Sequence, residues 1–257
     1  MKDAKEKIYD DVYGCKEISY EPSHGVIAFL YRKLLRFEIN RYQACYDMLP
    51  PHKERLLDVG CGDGDFIFMV KDRFKECYGV DVSSVRIERA KKRSKDVSDG
   101  DNIHFYQCDV DEGLPFNNSF FYAASCIAVL EHVLNPPNVL DEIRRVLKPG
   151  GIFIVEVPNI AWMPHRIQLL FGKLPKTGGV YSGADWEHLH NFTKTTLWQL
   201  LTERGFEIKD VSCSGIFAKY RSWWPSFLGG DLVVKSVRTG KVSRASDLKV
   251  KAIKAVS

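Results

Sequence analysis

Three glycines alternate with other residues in the segment LLDVGCGDG (56–64), immediately after a short apolar run. Gly60, Gly62 and Gly64 are followed by apolar residues at helical spacing over 66–74. This pattern is typical of a buried strand that ends in a tight turn and opens a helix. Glycine is needed where φ is positive or where a ligand approaches the backbone. The free N–H groups at the start of such a helix can bind an anionic or polar ligand.

Two acidic residues stand at the ends of the next two apolar segments. Asp81 closes the segment 77–82, 17 residues after Gly64, and Asp109 closes the segment 103–110. This distance is expected when one helix separates two neighbouring parallel strands. The first carboxylate can accept both ribose hydroxyls of an adenosine, and the second can accept the adenine amino group. The glycine turn and the two acids therefore predict an adenosine pocket at the carboxyl edge of a parallel sheet.

The spacing of the glycines indicates which adenosine cofactor the turn binds. Dinucleotide sites usually carry G-x-G-x-x-G, whereas this chain has G-x-G-x-G with Asp58, Asp63 and Asp65 beside it. Three carboxylates around the turn would repel a diphosphate. They suit a cationic sulfonium with an amino-acid tail.

At these motifs the sequence resembles the class I S-adenosylmethionine-dependent methyltransferases. The matching segments are LLDVGCGDG (56–64), YGVDVS (78–83), YQCDV (106–110), LPF (114–116), LEHV (130–133) and LDEIRRVLKPGGIFIVEVPN (140–159), within about 55–215. The chain is most similar to the small-molecule group that includes ubiquinone-biosynthesis and MetW-like proteins. The resemblance implies S-adenosyl-L-methionine as cofactor and a binding set of Asp58, Gly60, Cys61, Gly62, Gly64, Asp81, Val82, Asp109, Val110 and Ala128.

Histidines supply the candidate catalytic groups. Methyl transfer depends mainly on alignment of donor and acceptor, but an oxygen or nitrogen acceptor can need a base, for which histidine is suited. His132 follows the fourth strand, and His188 and His190 end a glycine- and aromatic-rich segment. Roles in helix capping or packing are equally open for all three. The H-x-H pair lacks a third spaced ligand, so we predict no metal site.

Alternating apolar segments predict an α/β fold with a doubly wound, mostly parallel sheet. The resemblance implies that this sheet has seven strands, in the Rossmann-like methyltransferase fold. We expect an N-terminal helical cap over 1–50, a methyltransferase domain over 51–238 and a basic tail over 239–257. A cover insertion, 159–191, follows the fifth strand. A cofactor contact from the N-terminal segment stays open among four residues, Tyr20, His24, Arg36 and Arg41.

Charge and cysteine content limit the partners. The net charge is +4, and the tail 239–257 alone contributes +4, so the body is close to neutral. This balance argues against a nucleic-acid-binding face. The seven cysteines show no C-x-x-C spacing, which fits buried thiols in a reducing cytoplasm. We also expect no stable membrane insertion, and a homodimer stays open.

These observations predict a methyltransferase that acts on a small or lipid-like metabolite, with oxygen as the expected acceptor atom. The alternative is a MetW-like accessory protein that binds the cofactor without transferring its methyl group. Methylation of RNA or protein is a third interpretation, which the neutral body weakens.

Overall fold

The computed structural model describes residues 38–51, 53–97, 100–175 and 188–240. These residues form two sheets. The strands are β1 (Glu38–Ile39), β2 (Lys53–Val59), β3 (Phe74–Asp81), β4 (Ile103–Gln107), β5 (Phe121–Ile127), β6 (Leu147–Pro158), β7 (Phe206–Ser212), β8 (Gly215–Ile216) and β9 (Asp231–Arg238). The large sheet has the order β4-β3-β2-β5-β6-β9-β7, and β1 pairs with β8 in a separate two-stranded sheet.

The first five strands of the large sheet are parallel, and β9 runs antiparallel to both of its neighbours. The α-helices are α1 (Arg41–Met48), α2 (Asp65–Val70), α3 (Ser84–Lys95), α4 (Pro136–Val146), α5 (Met163–Leu170), α6 (Lys194–Glu203), α7 (Ala218–Arg221) and α8 (Pro225–Leu228). The predicted seven-stranded, doubly wound sheet is therefore confirmed.

The strands of the large sheet are buried on both faces because an apolar layer of helices covers each face. Helices α1, α2 and α3 pack on one face, where Cys45, Phe66 and Ile87 are buried. Helices α4 and α6 pack on the other face through side chains such as Leu140 and Leu197. The carboxyl ends of the parallel strands are left at one edge, with the loops that carry the predicted site.

Local sequence sets the helix ends. Helix α4 begins after Asn135, whose side chain accepts from the Asn138 amide, and carries proline in its first turn. Helix α6 begins at a capping box between Thr193 and Thr196. It ends before Gly205, which has a φ of 78°.

One segment differs from the prediction. Residues 38–39 form β1 and pair with β8, so the helical cap predicted over 1–50 is interrupted before α1. Residues 163–170 of the cover insertion form helix α5. Strand β6 begins at Leu147. Residues 176–187 of the insertion and 241–257 of the tail lie outside the described residues.

Candidate cofactor and acceptor site

The glycine turn after β2 has the backbone that its sequence predicts. Gly60, Gly62 and Gly64 have φ angles of 74°, 53° and 82°, in the left-handed region that glycine tolerates best. A Cβ at Gly60 would lie 2.2 Å from the side chain of Val129, and one at Gly64 would lie 2.7 Å from the Phe105 ring. The turn therefore fits closely against the loop after β5 and the Phe105 ring of β4, and a side chain at Gly60 or Gly64 would collide with these groups.

Asp81 binds this turn directly. Its Oδ2 accepts the Gly62 amide at 2.8 Å, and its Oδ1 accepts the Ser83 amide at 2.9 Å. The side chain is buried, and burial raises its pKa above the ordinary value although both amides oppose this rise. Each carboxylate oxygen can accept more than one hydrogen bond. The Asp81 carboxylate can therefore accept two ribose hydroxyls while it also accepts the two amides of the turn.

Asp109 lies at the same edge as Asp81. Residues Asp81 and Gln107 are register partners on β3 and β4, and the Cys108 amide donates to the Asp81 carbonyl at 2.8 Å. Asp109 is buried, and its Oδ1 accepts the Asp111 amide at 3.1 Å. The carboxylate therefore also caps the turn after β4. An adenine contact by Asp109 stays a prediction.

The remaining predicted nucleoside residues are distributed along the same two strand ends. Val82 is half-buried next to Asp81, and its carbonyl accepts from the Gln107 side chain. Val110 is buried in the apolar layer and Cys61 is buried in the turn. The structure brings all of these residues to one edge, which is the juxtaposition that a nucleoside pocket requires.

Two of the three acids near the turn have a different role from the predicted one. Asp63 pairs with Arg86 at 3.3 Å, and Asp65 pairs with Arg93 at 2.6 Å. Both arginines lie on α3, so these ion pairs tie that helix to the turn. The hypothesis that all three carboxylates face a sulfonium is therefore wrong for Asp63 and Asp65. Their partners lie more than 20 residues away, and no local pattern indicates them.

Asp58 is the acid of this group that is buried beneath the turn. Its Oδ1 accepts the Ser125 hydroxyl at 2.7 Å. Burial raises the pKa of Asp58 to about 7; the Ser125 hydrogen bond opposes the rise and the Asp81 carboxylate adds to it. A cation bound nearby would favour the ionised form. Asp58 can therefore stabilise the positive charge of a sulfonium cofactor.

Ala128 follows β5 with a φ of 53°, an uncommon angle for a residue with a Cβ. Its amide donates to the Glu156 carbonyl at 3.1 Å, which fixes the loop against β6. Strained backbone of this kind occurs often at functional sites. Its neighbour Val129 lies against Gly60. The loop after β5 is thus joined to the glycine turn, as the predicted contact from Ala128 requires.

Three titratable side chains meet beside the loop after β5. They are Glu131 and His132 of this loop and His188 of the segment 188–192. The Glu131 carboxylate and His132 Nε2 are 4.0 Å apart, and the rings of His132 and His188 have centroids 4.7 Å apart. Ligand atoms of all three side chains lie within 4.8 Å of one another. Among the described residues, no hydrogen-bond donor reaches either carboxylate oxygen of Glu131, which is buried. Burial raises the pKa of Glu131 to about 8.

Backbone hydrogen bonds place His188 at this cluster. The amides of Leu189 and His190 both donate to the Glu131 carbonyl, at 2.8 and 3.1 Å. His190 Nε2 lies 3.0 Å from the Val133 carbonyl. The His190 ring therefore anchors its own segment to the loop. Of the three histidines predicted as catalytic candidates, the structure brings His132 and His188 together and gives His190 a positioning contact.

A second buried carboxylate, that of Glu156, lies near the end of β6. Glu156 has no hydrogen-bond donor on either oxygen among the described residues, and Arg41 of α1 is 3.9 Å away. Burial raises the pKa of Glu156 to about 8, and the Arg41 guanidinium opposes this rise. The other N-terminal contact candidates, Tyr20, His24 and Arg36, lie outside the described residues.

Other cavities lie apart from this edge. A cavity of about 260 Å³, lined by residues such as Lys71 and Phe74, opens at the start of β3. That position is the amino edge of the sheet, opposite the glycine turn. In the part of the chain that the structure describes, no helix has the length and apolar character that a membrane span needs.

The site combines a parallel sheet, a glycine turn after β2 and an acid at the end of β3 that accepts an amide of this turn. This combination defines a Rossmann-like domain of the kind that binds an adenosine-containing cofactor. Comparison with known proteins gives the particular family. Residues 29–211 match the methyltransferase domain family, and the chain belongs to it.

Curated relatives agree with this assignment. The chain is 30% identical over 200 residues to a demethylmenaquinone methyltransferase of Thermotoga maritima, covering 68% of this chain and 82% of that protein. It is 30% identical over 105 residues to a ubiquinone biosynthesis O-methyltransferase of Alkalilimnicola ehrlichii. That second match spans 41% of this chain but only 42% of the relative's length.

A solved structure gives the same fold. An S-adenosylmethionine-dependent methyltransferase of Thermotoga maritima, described as a possible histamine N-methyltransferase, superposes with a TM-score of 0.59. The superposition covers 91% of this chain and 99% of that chain, at 19% identity. The cofactor of the family is S-adenosylmethionine, and the residues of the carboxyl edge fit it: an acid for the ribose, and buried carboxylates for the positive charge.

Proposed function

We propose that this protein transfers the methyl group of S-adenosylmethionine to an oxygen atom of a small or lipid-like metabolite. The observation that carries the proposal is the cluster of Glu131 and His132, in the loop after β5, with His188 of the segment 188–192. Val129 of the same loop contacts Gly60. The acceptor-side groups are therefore adjacent to the turn that would hold the cofactor.

The residues of this edge would have different roles in cofactor binding and methyl transfer. Asp81 and the glycine turn hold the nucleoside half of the cofactor, and Asp58 stabilises the positive charge of its other half. S-adenosylmethionine supplies an activated methyl group on its sulfonium. The chain aligns the acceptor oxygen with that group, which is the main requirement of the reaction. His132 accepts the proton that the acceptor hydroxyl loses. The Glu131 carboxylate lies 4.0 Å from His132 Nε2, close enough to act on the charge of the ring.

The relatives support the substrate class. One is described as acting on demethylmenaquinone and another as an O-methyltransferase of ubiquinone biosynthesis. Each of the two names refers to a quinone. We therefore propose a ring-bearing, partly apolar acceptor, and we retain the positions Asp58, Gly60, Cys61, Gly62, Gly64, Asp81, Val82, Asp109, Val110 and Ala128 as the proposed cofactor contacts.

A labelled-methyl assay tests this function. The protein is incubated with methyl-labelled cofactor and either a cell extract or a hydroxylated quinone precursor, and the label is followed into the organic phase. The Gly62→Val variant serves as the control without a cofactor site. We expect label in an organic-soluble product only with the unchanged protein. If no fraction takes up label while calorimetry shows intact cofactor binding, the accessory, MetW-like role replaces this proposal.

A further inference from the structure

Apolar side chains are exposed together on α5 and α7, in the loop after α5 and in the turn between α7 and α8. We call this the α5–α8 surface and define it as the exposed part of residues 159–175 and 213–230. Eight of its large apolar side chains are between 48% and 81% exposed: Ile167, Leu169, Leu170, Phe171, Leu174, Tyr220, Trp223 and Trp224. Exposed apolar groups in such number usually mark an interaction site.

The two segments come together at one point of the large sheet. Pro158 at the end of β6 pairs with Asp231 at the start of β9, so α5 leaves and α8 arrives at neighbouring positions. The Asn159 side chain donates to the Gly229 carbonyl at 2.8 Å, and the Arg166 guanidinium lies 5.6 Å from the centre of the Phe227 ring. The two segments that carry the exposed groups therefore lie side by side at the carboxyl edge.

The charge of this surface has a single sign. Residues 159–175 and 213–230 contain two arginines and two lysines but no aspartate or glutamate. Arg166, Lys173 and Lys219 are exposed among the apolar side chains. The body outside the tail is close to neutral, so this cationic surface must be balanced by acidic regions elsewhere. Tryptophan and tyrosine with basic neighbours are the groups that bind best at a membrane–water interface.

We propose that the α5–α8 surface binds reversibly to the surface of an anionic lipid bilayer. Apolar side chains enter the interface while the lysines and arginines contact the lipid phosphates. A second copy of the chain fits this surface less well, because a symmetric contact would bring the same cations together. No spanning helix is needed for such binding. Binding to the bilayer would bring the carboxyl edge of the sheet to the place where a lipid-like acceptor resides. This benefit for catalysis rests on the proposed function.

Vesicle flotation with the full chain tests the proposal. The vesicles contain phosphatidylcholine alone or phosphatidylcholine with 30% phosphatidylglycerol, roughly the anionic content at which surface potential attracts basic segments. We expect binding to the anionic vesicles only, weakening as salt increases. The double variant Trp223→Ala with Leu170→Ser should weaken binding at least about tenfold, since it removes two apolar side chains that would be buried in the bilayer interface. Lys219→Glu should weaken it by more than about fivefold.

Matched variants outside the surface serve as controls. Trp198 on α6 is 44% exposed and lies apart from this surface, so Trp198→Ala should bind vesicles as the unchanged protein does. Lys209→Glu on β7 is the matched charge control. Equal binding by surface and control variants would overturn the proposal, as would an absence of binding to both vesicle types. Loss of a dimer in the surface variants, seen by sedimentation, would instead assign the surface to a second copy.

The outcome is independent of the methyl-transfer proposal. Cofactor affinity, measured by calorimetry, should stay unchanged in the Trp223→Ala and Lys219→Glu variants because neither residue lies at the glycine turn. A chain that binds vesicles but transfers no methyl group would retain this inference and reject the proposed function. A chain that methylates a water-soluble acceptor but floats with no vesicle would do the reverse.

Discussion

Replacement of Asp81 by alanine removes the acid on which the nucleoside site depends. The carboxylate accepts the amides of Gly62 and Ser83 and is proposed to accept two ribose hydroxyls. A hydrogen bond to a charged group contributes about 1.5–3 kcal/mol. Loss of two such bonds to the ribose corresponds to about 3–6 kcal/mol, or roughly two to four powers of ten in dissociation constant. We therefore expect cofactor affinity to fall at least about a hundredfold.

Calorimetric titration with S-adenosylhomocysteine measures this loss. The substitution also leaves two turn amides without their acceptor, which costs about 1–3 kcal/mol for each buried group. Thermal unfolding must therefore be measured in parallel, and Asp81→Asn, which keeps one acceptor oxygen, should give an intermediate affinity. Asp72→Ala is the control, because Asp72 is exposed at the opposite edge. A folded Asp81→Ala protein with unchanged affinity would refute the assignment of this edge as the nucleoside site.

Three other predictions concern the same edge. Gly62→Val should abolish cofactor binding, since φ is 53° there and its Cβ would lie 2.1 Å from the Arg86 guanidinium; an intact titration would contradict this. His132→Ala should lower turnover at least about tenfold with cofactor affinity kept; equal turnover would leave His132 a packing role. Folding raises the pKa of Glu131 from 4.5 to about 8, so the native chain binds more protons than the unfolded chain between these values. Stability without cofactor should therefore fall as pH rises across this window, by about 1 kcal/mol per pH unit. Urea unfolding from pH 5 to 8 should show a shallower fall for Glu131→Gln, and identical slopes would disprove the assignment.

The glycine turn and the strand ends were predictable from the sequence because their determinants are local. The positive φ angles at Gly60, Gly62 and Gly64 follow from residue type, and the position of Asp81 follows from the length of one crossover helix. The parallel character of the sheet follows from the alternation of strand and helix segments. These features depend on backbone constraints that neighbouring residues impose.

Contacts between distant side chains were not predictable in this way. Asp63 has an ordinary turn position in the sequence, and only the packing of α3 brings Arg86 to it. The burial of Glu131 and Glu156 depends on how α1 and the segment 188–192 cover the sheet. The pairing of β1 with β8 joins residues almost 180 positions apart, each strand being only two residues long. Such short elements carry too little periodicity to be recognised.

The buried cysteines give the molecule an internal chemical reporter. The six cysteines in the described ranges are free and buried, and burial raises the pKa of Cys77 to about 12 and that of Cys61 well above its ordinary value. Because thiolates and not thiols react with alkylating agents, these groups stay inert while the native packing persists. Cys61 lies inside the glycine turn, so the rate of its carboxymethylation would report how often that turn opens. A ligand that keeps the turn closed would lower this rate.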